Sequence, residues 1–276
     1  MQTVLLSVLA MLAFAANSVL CRIALGAGHI DAASYTSVRL ISGAVVLAAI
    51  VLVRDRRVVR ADVNAWSALA LFVYMVCFSF AYLSLATGTG ALILFGAVQL
   101  TMFAWSLKSG ESFPPLSWLG LGLAVAGLVY LLLPGATAPA TSGAILMTVA
   151  GIAWGAYSLI GRKAVDATRA TAWNFVLAVP LGVATSLVYA DAMSASTVGV
   201  SLAIASGSLA SGAGYAIWYR ALRGLAANDA ATLQLSVPVI AAIGGVVLLG
   251  EPVTVRLVVA SLATLGGVAL VLRRRG

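Results

Sequence analysis

Tyr74, Phe78 and Tyr82 are spaced i, i+4, i+8, which places three aromatic rings on one face of a helix. Their counterparts 137 residues later are Ser211, Tyr215 and Tyr219. Trp154 and Tyr157 in turn follow Phe14 and Asn17 at an offset of 140 residues. Rings in such sets stack on flat ligands. Gln99 and Gln234 are amides set inside apolar stretches, and Asn17 is a third at similar depth. Polar groups inside such stretches tend to face a bundle interior or a cavity. The chemistry on offer is stacking and hydrogen bonding, that is, recognition without bond making. Helix packing, interhelical hydrogen bonds or an interfacial aromatic belt account for the same residues. Tyr82 and Tyr219 lie close enough to helix ends for the belt. The third amide tips the balance toward a lined path.

Bond-making chemistry finds no residues to perform it. His29 is the single histidine and falls in a loop, so no histidine-based triad or His-Glu-x-x-His zinc motif is present. Gly88-Thr89-Gly90 lacks the strand-to-helix context of a phosphate loop. Cys21 and Cys77 are the two cysteines, too few for a disulfide framework, zinc site or haem motif. Cys77 reads as a small core residue. The eight acids are Asp31, Asp55, Asp62, Glu111, Asp166, Asp191, Asp229 and Glu251, and none reads as mid-span. No catalytic residue, metal or cofactor is expected, and the chain is not read as an enzyme.

The elements that must position the rings are set by hydropathy. Of the 276 residues 62% are hydrophobic and 9% charged, with mean hydropathy +1.09. Soluble domains carry about a quarter charged residues. Residues 63–107 and 112–161 contain no charge. Each stretch fits two spans of about 20 residues joined by a turn. Backbone groups in lipid must be satisfied internally, so the spans are helices; the alternating strands of a membrane barrel are absent. Ten helices are expected at roughly 3–25, 32–53, 63–86, 89–107, 114–133, 142–163, 170–190, 197–223, 227–249 and 253–272. Thr87-Gly88-Thr89-Gly90 and Pro134-Gly135-Ala136-Thr137-Ala138-Pro139 read as turns. Pro180 and Pro238 should bend the seventh and ninth helices. Gly120, Gly127, Gly207-x-x-x-Ser211 and Gly266-Gly267 would permit close crossings. Met1–Met11 has no basic leader or cleavage pattern, so the first span is expected to be retained.

The halves re-read each other. Ser18-x-x-x-Arg22 recurs as Ser158-x-x-x-Arg162, Tyr82-x-x-Leu85 as Tyr219-x-x-Leu222, and Gly110-Glu111 as Gly250-Glu251. With five helices in each, the two copies sit upside down relative to one another, the arrangement that builds a central path in transporters. With the N-terminus cytoplasmic, 13 positive residues are cytoplasmic: Arg54, Arg56, Arg57, Arg60, Lys108, Arg162, Lys163, Arg169, Arg220, Arg223, Arg273, Arg274 and Arg275. Arg22, Arg39 and Arg256, three in all, fall on the other side. That asymmetry puts both termini in the cytoplasm. It also explains the net charge of +8 without a nucleic-acid partner.

Phe14-Ala15-Ala16-Asn17-Ser18 ending near Arg22, Arg39 early in the second helix, and Gly110-Glu111 before the fifth resemble the EamA-type repeat of the drug/metabolite transporter superfamily. Ala153-Trp154-Gly155-Ala156-Tyr157-Ser158 and Gly250-Glu251-Pro252 show the pattern more plainly in the second half. Gly127 and Gly267 match the glycine of each repeat's last helix. Size and aromatic content resemble the bacterial aromatic amino acid and paraquat exporters. Ala178 stands near the place where a counterpart to Arg39 would fall.

The resemblance implies an all-α membrane protein of ten transmembrane helices in two inverted five-helix repeats, 1–135 and 142–276. It implies an inner-membrane exporter of small organic solutes, favouring aromatic amino acids, whose path is lined by helices 1, 3, 4, 6, 8 and 9 and opened by alternating access. The candidate substrate contacts are Phe14, Asn17, Tyr74, Phe78, Tyr82, Gln99, Trp154, Tyr157, Tyr215, Tyr219 and Gln234. A neutral or zwitterionic substrate fits a chain without a mid-span acid. A sugar phosphate, nucleotide sugar or amphipathic drug is the alternative load, and a non-transporting membrane subunit the alternative role. The bilayer and the solute are the expected partners, and the chain is expected to be a monomer or weak homodimer. Arg39, about two turns into the second helix, could attract a carboxylate, but the preferred reading is snorkelling to the outer surface or pairing with Asp31. Arg162 and Lys163 are read as topology anchors, and Glu111 and Glu251 as carboxylates at helix N-termini.

Overall fold

The computed structural model describes residues 2–56, 64–162, 164–225 and 227–272. Arg57, Arg60, Asp62, Lys163 and Arg273, Arg274 and Arg275, which belong to the charge reading, lie outside the described residues. The described residues form helices and connecting turns, with one isolated antiparallel bridge between Ile30 and Ala195.

The helices are α1 (Gln2–Gly26), α2 (Ala32–Asp55), α3 (Ala65–Ala81), α4 (Thr87–Lys108), α5 (Pro115–Leu132), α6 (Thr141–Gly161), α7 (Ala167–Val188), α8 (Thr197–Leu222), α9 (in two segments, Ala227–Gln234 and Ser236–Leu249) and α10 (Val255–Leu272). Among the described residues nine spans are long and apolar enough to cross a bilayer, and α3 is a shorter apolar helix. Their outer faces carry exposed apolar side chains such as Leu5, Val45, Leu119, Ile145 and Leu262. Lipid accepts such surface at no cost, whereas water would not.

Starts are set by caps. Asp31, Asn64, Asp166 and Ser196 each accept a backbone N–H of the helix that follows. Pro115 occupies the first position of α5, where the missing N–H is harmless. Gly250 ends α9 with a left-handed φ of 67°, a conformation open to glycine.

Two details depart from the sequence expectation, and a third, at Pro238, agrees with the bend expected there. Thr87-Gly88-Thr89-Gly90 is the first turn of α4, not a loop. The cap comes from 164 residues away, where Glu251 Oε2 accepts the Thr87 N–H at 2.8 Å. The two glycines give clearance instead: a Cβ on Gly88 would meet Ala242, and one on Gly90 the Tyr82 ring. Pro238 coincides with a break, since α9 parts at Leu235; a proline at 238 has no N–H for the carbonyl of Gln234. In α8 the stretch Ser206–Ala213 is π-helical, a wider turn often found at functional sites.

The main packing pairs are α2 with α7, α5 with α10, α4 with α9, α3 with α6, α1 with α8, α4 with α6, α1 with α9, α2 with α8, and α3 with α7. Exchanging α1–α5 with α6–α10 returns the same set. The α5–α10 crossing is close because Gly120 and Gly267 face each other's backbone and Gly127 faces Thr264. Gly266 faces open space and has no part in it.

Candidate functional site

α1, α3, α4, α6 and α9 converge on a small cavity of about 20 Å³, lined by Phe14, Asn17, Ser18, Tyr74, Phe78, Leu94, Phe95, Trp154 and Gln234. It has room for about one water molecule. Six of the eleven candidate residues meet in this wall: Phe14, Asn17, Tyr74, Phe78, Trp154 and Gln234.

The rings form one connected cluster. Trp154 is stacked on Tyr157 (centroids 5.2 Å, planes at 25°) and on Tyr215 (5.3 Å, 24°), and lies 4.9 Å from Tyr74. Phe14 packs on Tyr215 at 5.7 Å, and Phe78 stands between Tyr74 and Tyr82. Tyr157 and Tyr215 therefore form a second layer behind Trp154.

The polar groups have definite partners. Asn17 Oδ1 accepts the Ser206 hydroxyl at 2.8 Å and the Ser211 hydroxyl at 3.3 Å, while its Nδ2 donates to the Ala210 carbonyl at 3.3 Å. One asparagine thus serves the π-helical stretch of α8, whose wider turn leaves backbone and hydroxyl groups to be satisfied from outside. Tyr157 donates to Thr171 Oγ1 (3.0 Å), which shares a 2.8 Å bond with the Tyr219 hydroxyl. Tyr82 donates to the Thr87 carbonyl at 3.3 Å. The hydroxyls of Tyr82, Tyr157 and Tyr219 are thereby committed to tying helices together. Gln99 is half-buried on α4 and outside the lining of both cavities described here.

Arg39 corrects the sequence reading. It neither snorkels nor pairs with Asp31. Its side chain is fully buried, and Asp31 instead accepts the N–H groups of Ser34 and Ser194. Arg39 Nε and Nη2 both donate to Ser211 Oγ at 3.2 Å, and Nη2 donates to Tyr74 Oη at 3.2 Å. The guanidinium carbon stands 4.9 Å from the Phe78 ring centroid and 5.5 Å from that of Tyr74. Tyr74 and Ser211, related by the 137-residue offset, meet on one guanidinium. The signal in the sequence was an arginine about two turns inside an apolar span, with no acid on its own helix within reach except Asp31.

The two ends of the bundle differ. At one end Arg22 Nε pairs with Glu251 Oε1 at 3.3 Å, and Arg22 Nη1 donates to the Tyr82 and Leu83 carbonyls. Glu251 therefore caps α4 and anchors α1, rather than serving the helix that follows it. The loop after α1 is bound to the segment before α8 through Asp31, Ile30 and Ser196. Arg256 donates to the Leu131 and Leu133 carbonyls at the same end.

At the other end a cavity of about 1200 Å³ opens between α3, α4, α6 and α7, with Asn64, Lys108, Asp166 and Arg169 among its lining and an apolar body of residues such as Ala97, Ile152 and Ala156. Its mouth carries an ion network. Arg54 pairs with Asp55 (2.7 Å) and Asp166, and Arg169 with Asp55 (2.8 Å) and Asp166 (3.6 Å). Burial opposes ionisation of Asp166, yet the Arg169 N–H and the Arg54 guanidinium hold its carboxyl below the usual range. Contacts link the two cavities: Asn174, in the large one, donates to Tyr157 Oη at 3.5 Å, and Tyr157 stacks on Trp154.

The described residues form a helical bundle with an apolar exterior, a ring-lined centre and one open end. The family model of the EamA-like transporter family matches residues 141–273. An uncharacterized protein of Pseudomonas aeruginosa is 50% identical over 274 residues, 99% of this chain and 96% of that protein. The chain belongs to the EamA-like transporter family. This EamA-like protein is a multi-pass membrane protein of the drug/metabolite transporter superfamily, and the family's role is the movement of small solutes. An uncharacterized transporter of Archaeoglobus fulgidus is 27% identical over 217 residues, 74% of each chain. A crystal structure aligns over 97% of both chains with a TM-score of 0.68 at 19% identity, a likeness of fold.

Proposed function

We propose that this EamA-like protein exports small organic solutes, aromatic amino acids foremost, across a bacterial inner membrane. The carrying observation is the convergence of Phe14, Tyr74, Phe78 and Trp154 with the amides Asn17 and Gln234 around one central cavity. Flat side chains gain from such rings, and the amides supply directed hydrogen bonds. No chemical step is involved, and the protein works as a monomer or weak homodimer in the bilayer.

The path runs between two inverted five-helix repeats, 1–135 and 142–276. The exchange symmetry of the helix pairs supports this reading. Both termini face the cytoplasm, so the 1200 Å³ cavity is the loading side and the Arg22–Glu251 end is the closed exit. At about 20 Å³ the centre is far below the several hundred Å³ that a small-molecule site encloses. Loading therefore requires the rings to part, and release requires Arg22 and Glu251 to separate, which is alternating access.

Cells expressing the protein test this reading through 4-fluorophenylalanine, a toxic aromatic analogue. Higher resistance than in cells with an empty vector, lost in the Trp154→Ala variant at equal expression, is expected. Unchanged sensitivity would overturn the substrate or the direction.

A further inference from the structure

Among the described residues three buried side-chain polar atoms have no hydrogen-bond partner: Tyr35 Oη, Arg39 Nη1 and Thr87 Oγ1. The first two stand one turn apart on the same face of α2, and both side chains are fully buried. Arg39 keeps its charge in a protein interior. Its other nitrogens reach neutral hydroxyls, Ser211 and Tyr74, and no ion pair joins it to a carboxylate among the described residues. The described acids lie at helix ends or in loops. An uncompensated buried charge with an idle donor is costly to hold. The neighbours of this one are the cavity's own walls: Tyr74 and Phe78 line the cavity and pack on the guanidinium, and Asn17 lines it and binds Ser211.

We propose that Arg39, with Tyr35 beside it, is the anion subsite of the central cavity, and that it takes the carboxylate of the aromatic solute. This rests on the reading of the centre as an aromatic-solute site and sharpens it. Among the described residues no acid stands in the bundle centre, so an ammonium group finds no opposite charge there. The ligand class is accordingly an aromatic monocarboxylate, and the α-amino group is tolerated rather than read. As the cavity widens, Arg39 Nη1 gains the partner it lacks in the closed state, so opening and carboxylate binding favour each other.

The test uses purified protein in detergent, with affinities measured for 3-phenylpropionate, phenylalanine and phenethylamine, in chloride and in gluconate buffers. The wild type should bind 3-phenylpropionate at least as tightly as phenylalanine, and phenethylamine about tenfold or more weakly, the loss expected for a missing charged hydrogen bond. Arg39→Gln should erase the preference for the carboxylate, and Arg39→Lys should keep part of it. The wild-type ligand series stands even if a variant fails to fold. Equal binding of phenethylamine and 3-phenylpropionate by the wild type would overturn the proposal. So would protection by chloride alone with none added by 3-phenylpropionate, which would make the site one for a free inorganic anion. Binding is read without flux, so phenylalanine transport with no carboxylate preference would remove Arg39 and leave the export reading in place. Absence of binding by every aromatic ligand would remove both.

Discussion

Trp154 of α6 and Tyr215 of α8 lie ring on ring, 5.3 Å between centroids and 24° between planes. A flat side chain entering the central cavity meets the other accessible surfaces of Trp154, which also touches Tyr74 and Tyr157. Trp154 is only partly buried, whereas Phe78 and Tyr215 are almost fully enclosed. It is the ring best placed to exchange a neighbour for a substrate.

Trp154→Ala should therefore weaken aromatic solutes more than aliphatic ones. Loss of a stacking partner is worth about 0.5–1.5 kcal/mol beyond area burial, or a few-fold to roughly tenfold in apparent affinity. Initial rates over a range of phenylalanine concentrations in proteoliposomes measure it. An equal effect on alanine uptake would count against stacking.

The two glutamines should separate. Gln234 lines the central cavity, and Gln99 lines neither cavity. Gln234→Ala should lower phenylalanine flux several-fold at unchanged protein level, with Gln99→Ala closer to wild type. Flux per reconstituted molecule decides, and the reverse order would place the path along the Gln99 face of α4.

Glu251 holds α1 through Arg22 and α4 through the Thr87 N–H. Glu251→Ala leaves the Thr87 N–H without its cap and Arg22 without its ion-pair partner, so the closed end should open more often. Ser18 lines the cavity one turn from Arg22, and a Ser18→Cys probe on a Cys77→Ser background reports the opening. Labelling by a membrane-impermeant maleimide from the exit side should rise several-fold in the Glu251→Ala protein. No change would mean that the pair is not part of the gate.

Asp166 sets a pH limit at the other end. Its native carboxyl titrates below its usual value, so its stabilisation is complete above the unfolded value of about 3.9 and is lost as pH falls through the lowered native one. The thermal midpoint should be level at neutral pH and fall below about pH 4. Asp166→Asn keeps a capping oxygen for Arg169 N–H and removes the ion pairs. It should cost up to about 1 kcal/mol at neutral pH, as partly exposed pairs do, and its midpoint should fall less in acid.

The helices were legible because each apolar run of membrane-spanning length ends at a charge, a glycine or a proline. The aromatic and amide positions were legible because rings and amides inside such runs are uncommon, and six of them do meet. What escaped the sequence depended on distant partners. Thr87–Gly90 looks like a turn until Glu251, 164 residues on, supplies the cap. The π-helical stretch of α8 is marked in sequence by little more than its small residues until Asn17 of α1 is seen to serve it. Arg39 escapes a reading from sequence because an arginine near a helix start usually reaches water, and here Ser211 and Tyr74 hold it inside. Tyr82 and Tyr219 carry ring chemistry in the sequence, but their hydroxyls are spent on helix contacts.

The central claim is that the ring-lined centre carries aromatic amino acids, and counterflow measures it most directly. Proteoliposomes preloaded with unlabelled phenylalanine and diluted into trace labelled phenylalanine should accumulate label transiently. Unlabelled tyrosine or tryptophan outside should suppress that signal, and alanine or glucose 6-phosphate should not. Stronger suppression by alanine or glucose 6-phosphate than by the aromatic amino acids, or no accumulation with any aromatic load, would contradict the account.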